Sequence, residues 1–161
     1  MIDLAELAGS LLDLGVQVLE EAGADDPPAR PAPAQRFVGH GSITWDCELL
    51  AVHVPRVAPK VIDPRNEACA VVPEAMLHVT LLQCVPKLGP QGQPPTPAEI
   101  DESSRQLLVD GRALYGGLLR AWTTRAWPAN RDCSMVKWGQ LEPLPASGGL
   151  GGWRIDLKVQ V

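Results

Sequence analysis

Apolar positions along the chain follow two periods, one helical and one of strict alternation, and stretches rich in Pro and Gly separate them. From Ile2 to Ala22 the residues Leu4, Leu7, Ala8, Leu11, Leu12, Gly15, Val18, Leu19 and Ala22 recur at helical spacing, which predicts an amphipathic helix. Asp3 with Glu6 resembles a capping box, and Gly23 is expected to stop the helix. A second helix is predicted after Thr96, with Pro97 in the first helical position and Glu99 closing the box. Its stripe runs Ile100, Leu107, Leu108, Gly111, Leu114, Tyr115, Leu118, Leu119 and Trp122, and it should end before Pro128. Gly116 and Gly117 interrupt helix propensity and are expected to mark close packing against a sheet.

The strand signal is of a different kind. Arg36–Gly41 has room for a short strand, and Cys47–Val57 predicts a stronger one. In it Leu49, Ala51 and His53 point one way while Leu50, Val52 and Val54 point the other. Pro55 is expected near its end. A strand over Met76–Val85 closes at Pro86, and two more are predicted over Ser134–Leu144 and Gly152–Val161. The last alternates throughout: Trp153, Ile155, Leu157, Val159 and Val161 face in, while Arg154, Asp156, Lys158 and Gln160 face out to solvent. The order helix, strands, helix, strands implies an α+β sandwich, a mixed and mainly antiparallel sheet with two helices on one face.

Three loops join these elements: Asp25–Gln35, Ala58–Pro73 and Lys87–Pro97. The first, rich in Pro and Ala, reads as an extended surface linker, and the second as a long irregular connection. Pro145–Gly151 reads as a flexible joint between the last two strands. A chain of 161 residues fits one domain over residues 1–161, large enough to bury a core without staples.

Composition narrows the function. A net charge of −5 disfavours a dedicated nucleic-acid binder, which needs a basic face to displace counterions. No apolar run reaches the ~18 residues of a membrane span, and acids occupy the N-terminus where a signal peptide carries bases, so synthesis in the cytoplasm is expected. Cys47, Cys69, Cys84 and Cys133 lack the close pairing of a zinc site and read as buried free thiols.

Catalytic and cofactor motifs are absent from the sequence. Gly148–Gly152 opens no helix and so makes no phosphate loop. His40, Ser42 and Asp46 form the least poor arrangement for a hydrolytic enzyme, and His53, His78 and Cys84 would form a metal site only in one strand register. Trp122, Trp127, Trp138 and Trp153 suit a core or an interface anchor better than base or sugar stacking. No catalytic residue, metal or cofactor is therefore expected.

Several segments together resemble the tail terminator proteins of long-tailed actinobacterial phages, whose fold is of the phage lambda tail terminator type. They are the first helix IDLAELAGSLLDLGVQVLEEAG, the strand Phe37-Val38-Gly39, and the run Trp45-Asp46-Cys47-Glu48-Leu49-Leu50-Ala51-Val52-His53-Val54. Val79–Pro86 leading into PPTPAEIDESSRQLL, and the turn Gly148–Gly152 with Trp153 opening the last strand, complete the set. The resemblance implies a structural virion protein at the head-tail junction, with no catalysis. Such proteins form a ring, hexameric in the lambda type, at the head-proximal end of the tail tube. The implied partners are further copies of the chain, the major tail tube protein and the neck or stopper protein, with DNA passing through the lumen unbound. The Val57–Pro73 connection is the candidate for subunit or tube contacts, through Arg56, Lys60, Arg65 and Glu67, beside the alternative of solvated loop charges. Rival expectations are another connector or stopper ring, a tail tube subunit, a small enzyme, and a small-molecule binder using the tryptophans.

Overall fold

The computed structural model describes residues 3–25, 35–40, 48–61, 71–127 and 135–161. Two helices, α1 (Leu4–Asp25) and α2 (Pro97–Thr123), accompany five strands: β1 (Gln35–His40), β2 (Leu49–Val61), β3 (Val71–Cys84), β4 (Val136–Ser147) and β5 (Leu150–Gln160). The strands form one sheet in the order β1-β2-β3-β5-β4. β1 runs parallel to β2, and the other pairings are antiparallel. Both helices lie on one face, so the α+β architecture is the one the periodicity implies.

Each helix begins where its capping chemistry places it. Asp3 Oδ1 accepts from the backbone N–H of Ala5 (2.9 Å) and of Glu6 (3.3 Å). At α2, Thr96 Oγ1 accepts from Glu99 N while Thr96 N donates to Glu99 Oε2 at 2.7 Å, a complete capping box. These bonds favour the ionised carboxylate and hold Glu99 below its usual pKa. Gly23 does not stop α1, which continues to Asp25.

The core lies between helices and sheet. Leu7, Leu11 and Val16 of α1 and Leu114 and Leu118 of α2 pack on Leu50, Val52, Leu77, Val79, Ile155 and Leu157. Fully burying such a side chain is worth roughly 1.5–3 kcal/mol. The helices themselves meet at Gly117, where an added Cβ would overlap the Val18 side chain of α1. Close packing at this glycine is therefore against the other helix, and Gly116 has open space around it. Trp127 is buried, and its Nε1 donates to Ser10 Oγ at 3.0 Å, tying the turn after α2 to α1.

The strands are longer than the sequence pattern predicts. β2 runs through Pro55 and Pro59, and β3 begins at Val71, before Pro73. Ala58–Val61 and Val71–Pro73 thus belong to paired strands instead of an irregular connection, and residues 62–70 lie outside the described residues. Proline is tolerated because the β2–β3 register shifts between His53 and Arg56, leaving Pro55 outside the ladder. Pro59 and Pro73 face each other further out, past His40↔Val54, where β1 ends. Pro145–Gly151 is likewise no flexible joint. β4 and β5 extend to Ser147 and Leu150 around Gly148 and Gly149, whose φ of 61° and 85° suits a tight hairpin turn.

Candidate functional site

The face of the sheet turned away from the helices carries the charged and titratable side chains. Cross-strand register sets His53 opposite His78, and His78 opposite Asp156. The two imidazole rings meet edge-on with centroids 4.9 Å apart. His78 Nε2 lies 3.4 Å from Asp156 Oδ1, and Arg154 bridges Asp156 (3.1 Å) and Glu142 of β4 (2.8 Å). One row of imidazoles and charged side chains therefore crosses four strands.

Burial lowers the pKa of His53, and the neighbouring His78 and Arg154 push it the same way. Burial also lowers that of His78, against the pull of the Asp156 carboxylate. His53 is 8 % exposed and its Nδ1 accepts or donates no hydrogen bond among the described residues. The row is thus a neutral pair of imidazoles beside Arg154 and its two carboxylates, Asp156 and Glu142. The outward residues Arg154 and Asp156 are thus half-buried partners of this row and do not form a freely solvated face.

The metal arrangement fails on register. His53 and His78 do come together, but Cys84 stands six residues further along β3, exposed at the strand's end and disulfide-bonded. The buried free-thiol expectation is therefore wrong for Cys84, and the other three cysteines lie outside the described residues. No group of three or more ligating residues gathers among the described residues. Of the hydrolytic set, Ser42 and Asp46 lie outside the described residues; the His40 backbone ends β1.

Two surfaces at opposite ends of β2 and β3 stand out. At the start of β2 and the end of β3 a groove of about 830 Å³ opens between the C-terminal part of α1 and the first half of α2. Its lining includes Leu19, Leu81, Val85 and Pro86 together with Glu48, Glu99, Glu102 and Asp110, of which Glu102 is ion-paired with Arg105 at 2.9 Å. Asp110 is held in place by amides from two elements: Gln83 Nε2 of β3 donates to it, and Gln106 Nε2 donates at 3.0 Å. At the far end, β2 and β3 run on past the end of β1 as an arm, which β5 flanks as far as Glu74. Val57 and Val71 are each 52 % exposed there. The arm's other side gathers Arg56, Lys60 and, from β5, Lys158 beside Glu74, with Lys60 Nζ 3.5 Å from the Glu74 carboxylate.

Of the four candidate contact residues, Arg56 and Lys60 share this side of the arm, while Arg65 and Glu67 lie outside the described residues. The groove escaped the sequence reading because its acids come from α2 and the first residue before β2, brought together only by folding. The four tryptophans among the described residues pack within the fold. Trp122, Trp127 and Trp138 cluster with centroids 6.1 and 6.2 Å apart, and Trp153 Nε1 donates to the Leu107 carbonyl at 2.6 Å. Among the described residues no helix is long and apolar enough to cross a membrane. Neither a protein-family model nor a curated protein matches the sequence.

Proposed function

We propose that the chain is a structural subunit that assembles into a ring and caps the head-proximal end of a phage tail tube, as a tail terminator does. The observation that carries this reading is the β2–β3 arm. Val57 and Val71 are each half-exposed on it, and Arg56 and Lys60 lie on its other side beside Lys158 of β5. A pair of long strands with exposed apolar side chains suits contact with another protein. The α+β sandwich agrees with the fold that the sequence resemblance implies. The acidic balance of the chain suits a ring through which DNA passes without adhering.

The test uses purified tail tubes of the resembled phages, incubated with the chain and imaged by negative stain. A cap at one tube end only, with no further addition of tube subunits at that end, is the expected result. Uncapped tubes that keep growing would overturn the reading. Incorporation of the chain along the tube length would instead make it a tube subunit.

A further inference from the structure

We infer that a cationic patch on the outward face of the sheet is a contact surface for the phosphate backbone of a nucleic-acid duplex. This goes beyond the ring reading and does not depend on it. Register builds the patch. One cross-strand row runs Arg56 of β2, Met76 of β3, Lys158 of β5 and Lys137 of β4, on the same face as the row of His53, His78 and Asp156. Lys60 joins from further along β2, sharing a shallow hollow with Arg56, Glu74 and Lys158. Lys60 is paired with Glu74, whereas Arg56, Lys137 and Lys158 are exposed and make no ion pair among the described residues. The other carboxylates that the described strands place on this face, Asp156 and Glu142, are both held by Arg154. Lys137 and Lys158 stand directly opposite each other, an arrangement that costs stability in a ladder and that a bound polyanion relieves.

Size and chemistry select the occupant. With strands about 4.8 Å apart the row from Arg56 to Lys137 is roughly 14 Å long, and a duplex strand sets one phosphate per ~3.4 Å of helix axis. Several phosphates therefore come within reach of these long side chains at once. A protein partner fits less well. Interface cores are apolar and poor in Lys, while this row has Met76 as its one apolar member, and the exposed Val57 and Val71 lie on the other face. A single strand also fits less well, since no aromatic ring stands in the row for a base to stack on. The net charge of −5 conceals the patch. Glu20 and Glu21 of α1 and Asp101 and Glu102 of α2 belong to the helix layer across the sheet, about 10 Å or more away, and physiological salt screens charge over ~8 Å. So few phosphate contacts hold weakly and lose affinity steeply as salt rises, which leaves a duplex on this face free to move on. That is the behaviour a ring needs if DNA is to pass without adhering.

Fluorescence anisotropy of a short labelled DNA duplex with the full chain tests the surface, salt being raised in steps from about 50 mM. The wild type is expected to bind at low salt, with log K falling against log salt at a slope of about −3 to −4 per bound chain. Lys137→Gln/Lys158→Gln should reduce that slope by about 2 and weaken low-salt binding by about tenfold or more. Arg112→Gln/Arg120→Gln, which removes the same charge from the exposed side of α2, should leave both unchanged. Thermal melting checks that each variant folds, and the lysine variant should melt no lower than the wild type because it relieves a like-charge pair. No wild-type binding at low salt, equal losses in the two variants, or an unmoved slope in Lys137→Gln/Lys158→Gln would overturn the inference. A single strand of the same length that binds at least as tightly would overturn the duplex assignment. Polyglutamate that binds at least as tightly would overturn it in favour of an acidic protein partner. Capping of tail tubes is a separate measurement, so the ring reading stands or falls without this one.

Discussion

The two faces of the sheet are built on opposite principles. Beneath the helices, Leu50, Leu77, Leu81, Ile155 and Leu157 are at most 1 % exposed and interlock with Leu11, Leu114 and Leu118. On the other face a row of imidazoles and charges, His53, His78, Asp156, Arg154 and Glu142, crosses the same strands. The first face is a continuous apolar core, whereas the second sets imidazoles and ion pairs beside a small apolar cluster of Leu49, Ala51 and Leu82. Alternation along each strand is what lets one sequence do both. The lesson is that stability and responsiveness to solution conditions reside on different sides of one sheet.

The sharpest way to break this division is a cavity on the helix side. Leu77→Ala should cost about 2–5 kcal/mol in urea unfolding, because Leu77 is fully buried and its neighbours are held by two helices and the sheet. A loss below about 1 kcal/mol would mean that this face does not carry the stability. Overpacking is the next largest effect. Gly117→Val should destabilise by about 1–3 kcal/mol, since the new side chain meets Val18 at the helix crossing. Gly116→Ala, where an added Cβ meets nothing, should not destabilise at all.

Acid separates the two faces. Both histidines lie below their ordinary pKa of 6.5 in the folded chain, chiefly through burial, so the unfolded chain takes up protons first as pH falls. Stability from the neutral pair is complete above about pH 6.5 and is lost as pH drops below that value toward the folded-state pKa. The slope is at most about 1.4 kcal/mol per pH unit for each histidine. Melting temperatures measured from neutral pH down to pH 5 should fall, and His53→Gln/His78→Gln should flatten that fall; an unchanged profile in the double variant would show that the acid sensitivity lies elsewhere. The smallest effect belongs to the Arg154–Glu142 pair. A double-mutant cycle should give a coupling of only about 0.2–1 kcal/mol, as both side chains are more than a third open to solvent.

Much of the architecture was legible from periodicity alone. The capping residues Asp3 and Thr96 and the inward row Ile155, Leu157, Val159 stand where their spacing predicts, since caps and alternation are local properties. What was not legible depends on neighbours in space. Pro55 reads as the end of a strand, yet the bulge at His53/Arg56 leaves it outside the β2–β3 ladder, and Pro59 pairs with Pro73 beyond the end of β1. The His53–His78 contact exists only because β2 and β3 pair in that register, which no single strand encodes. Arg56 and Lys60 were visible as charges on a presumed loop, but their shared position on one side of paired strands was not. Cys84 offered no pairing signal in the spacing of the cysteines, and its disulfide was missed for that reason.

Native mass measurement of the assembled chain, with and without tube ends, tests the ring most directly. The account predicts one discrete mass, a single integer multiple of 17.3 kDa, as a closed set of head-to-tail contacts requires. A bare 17.3 kDa monomer under both conditions, or an open ladder of masses without a preferred size, would contradict it.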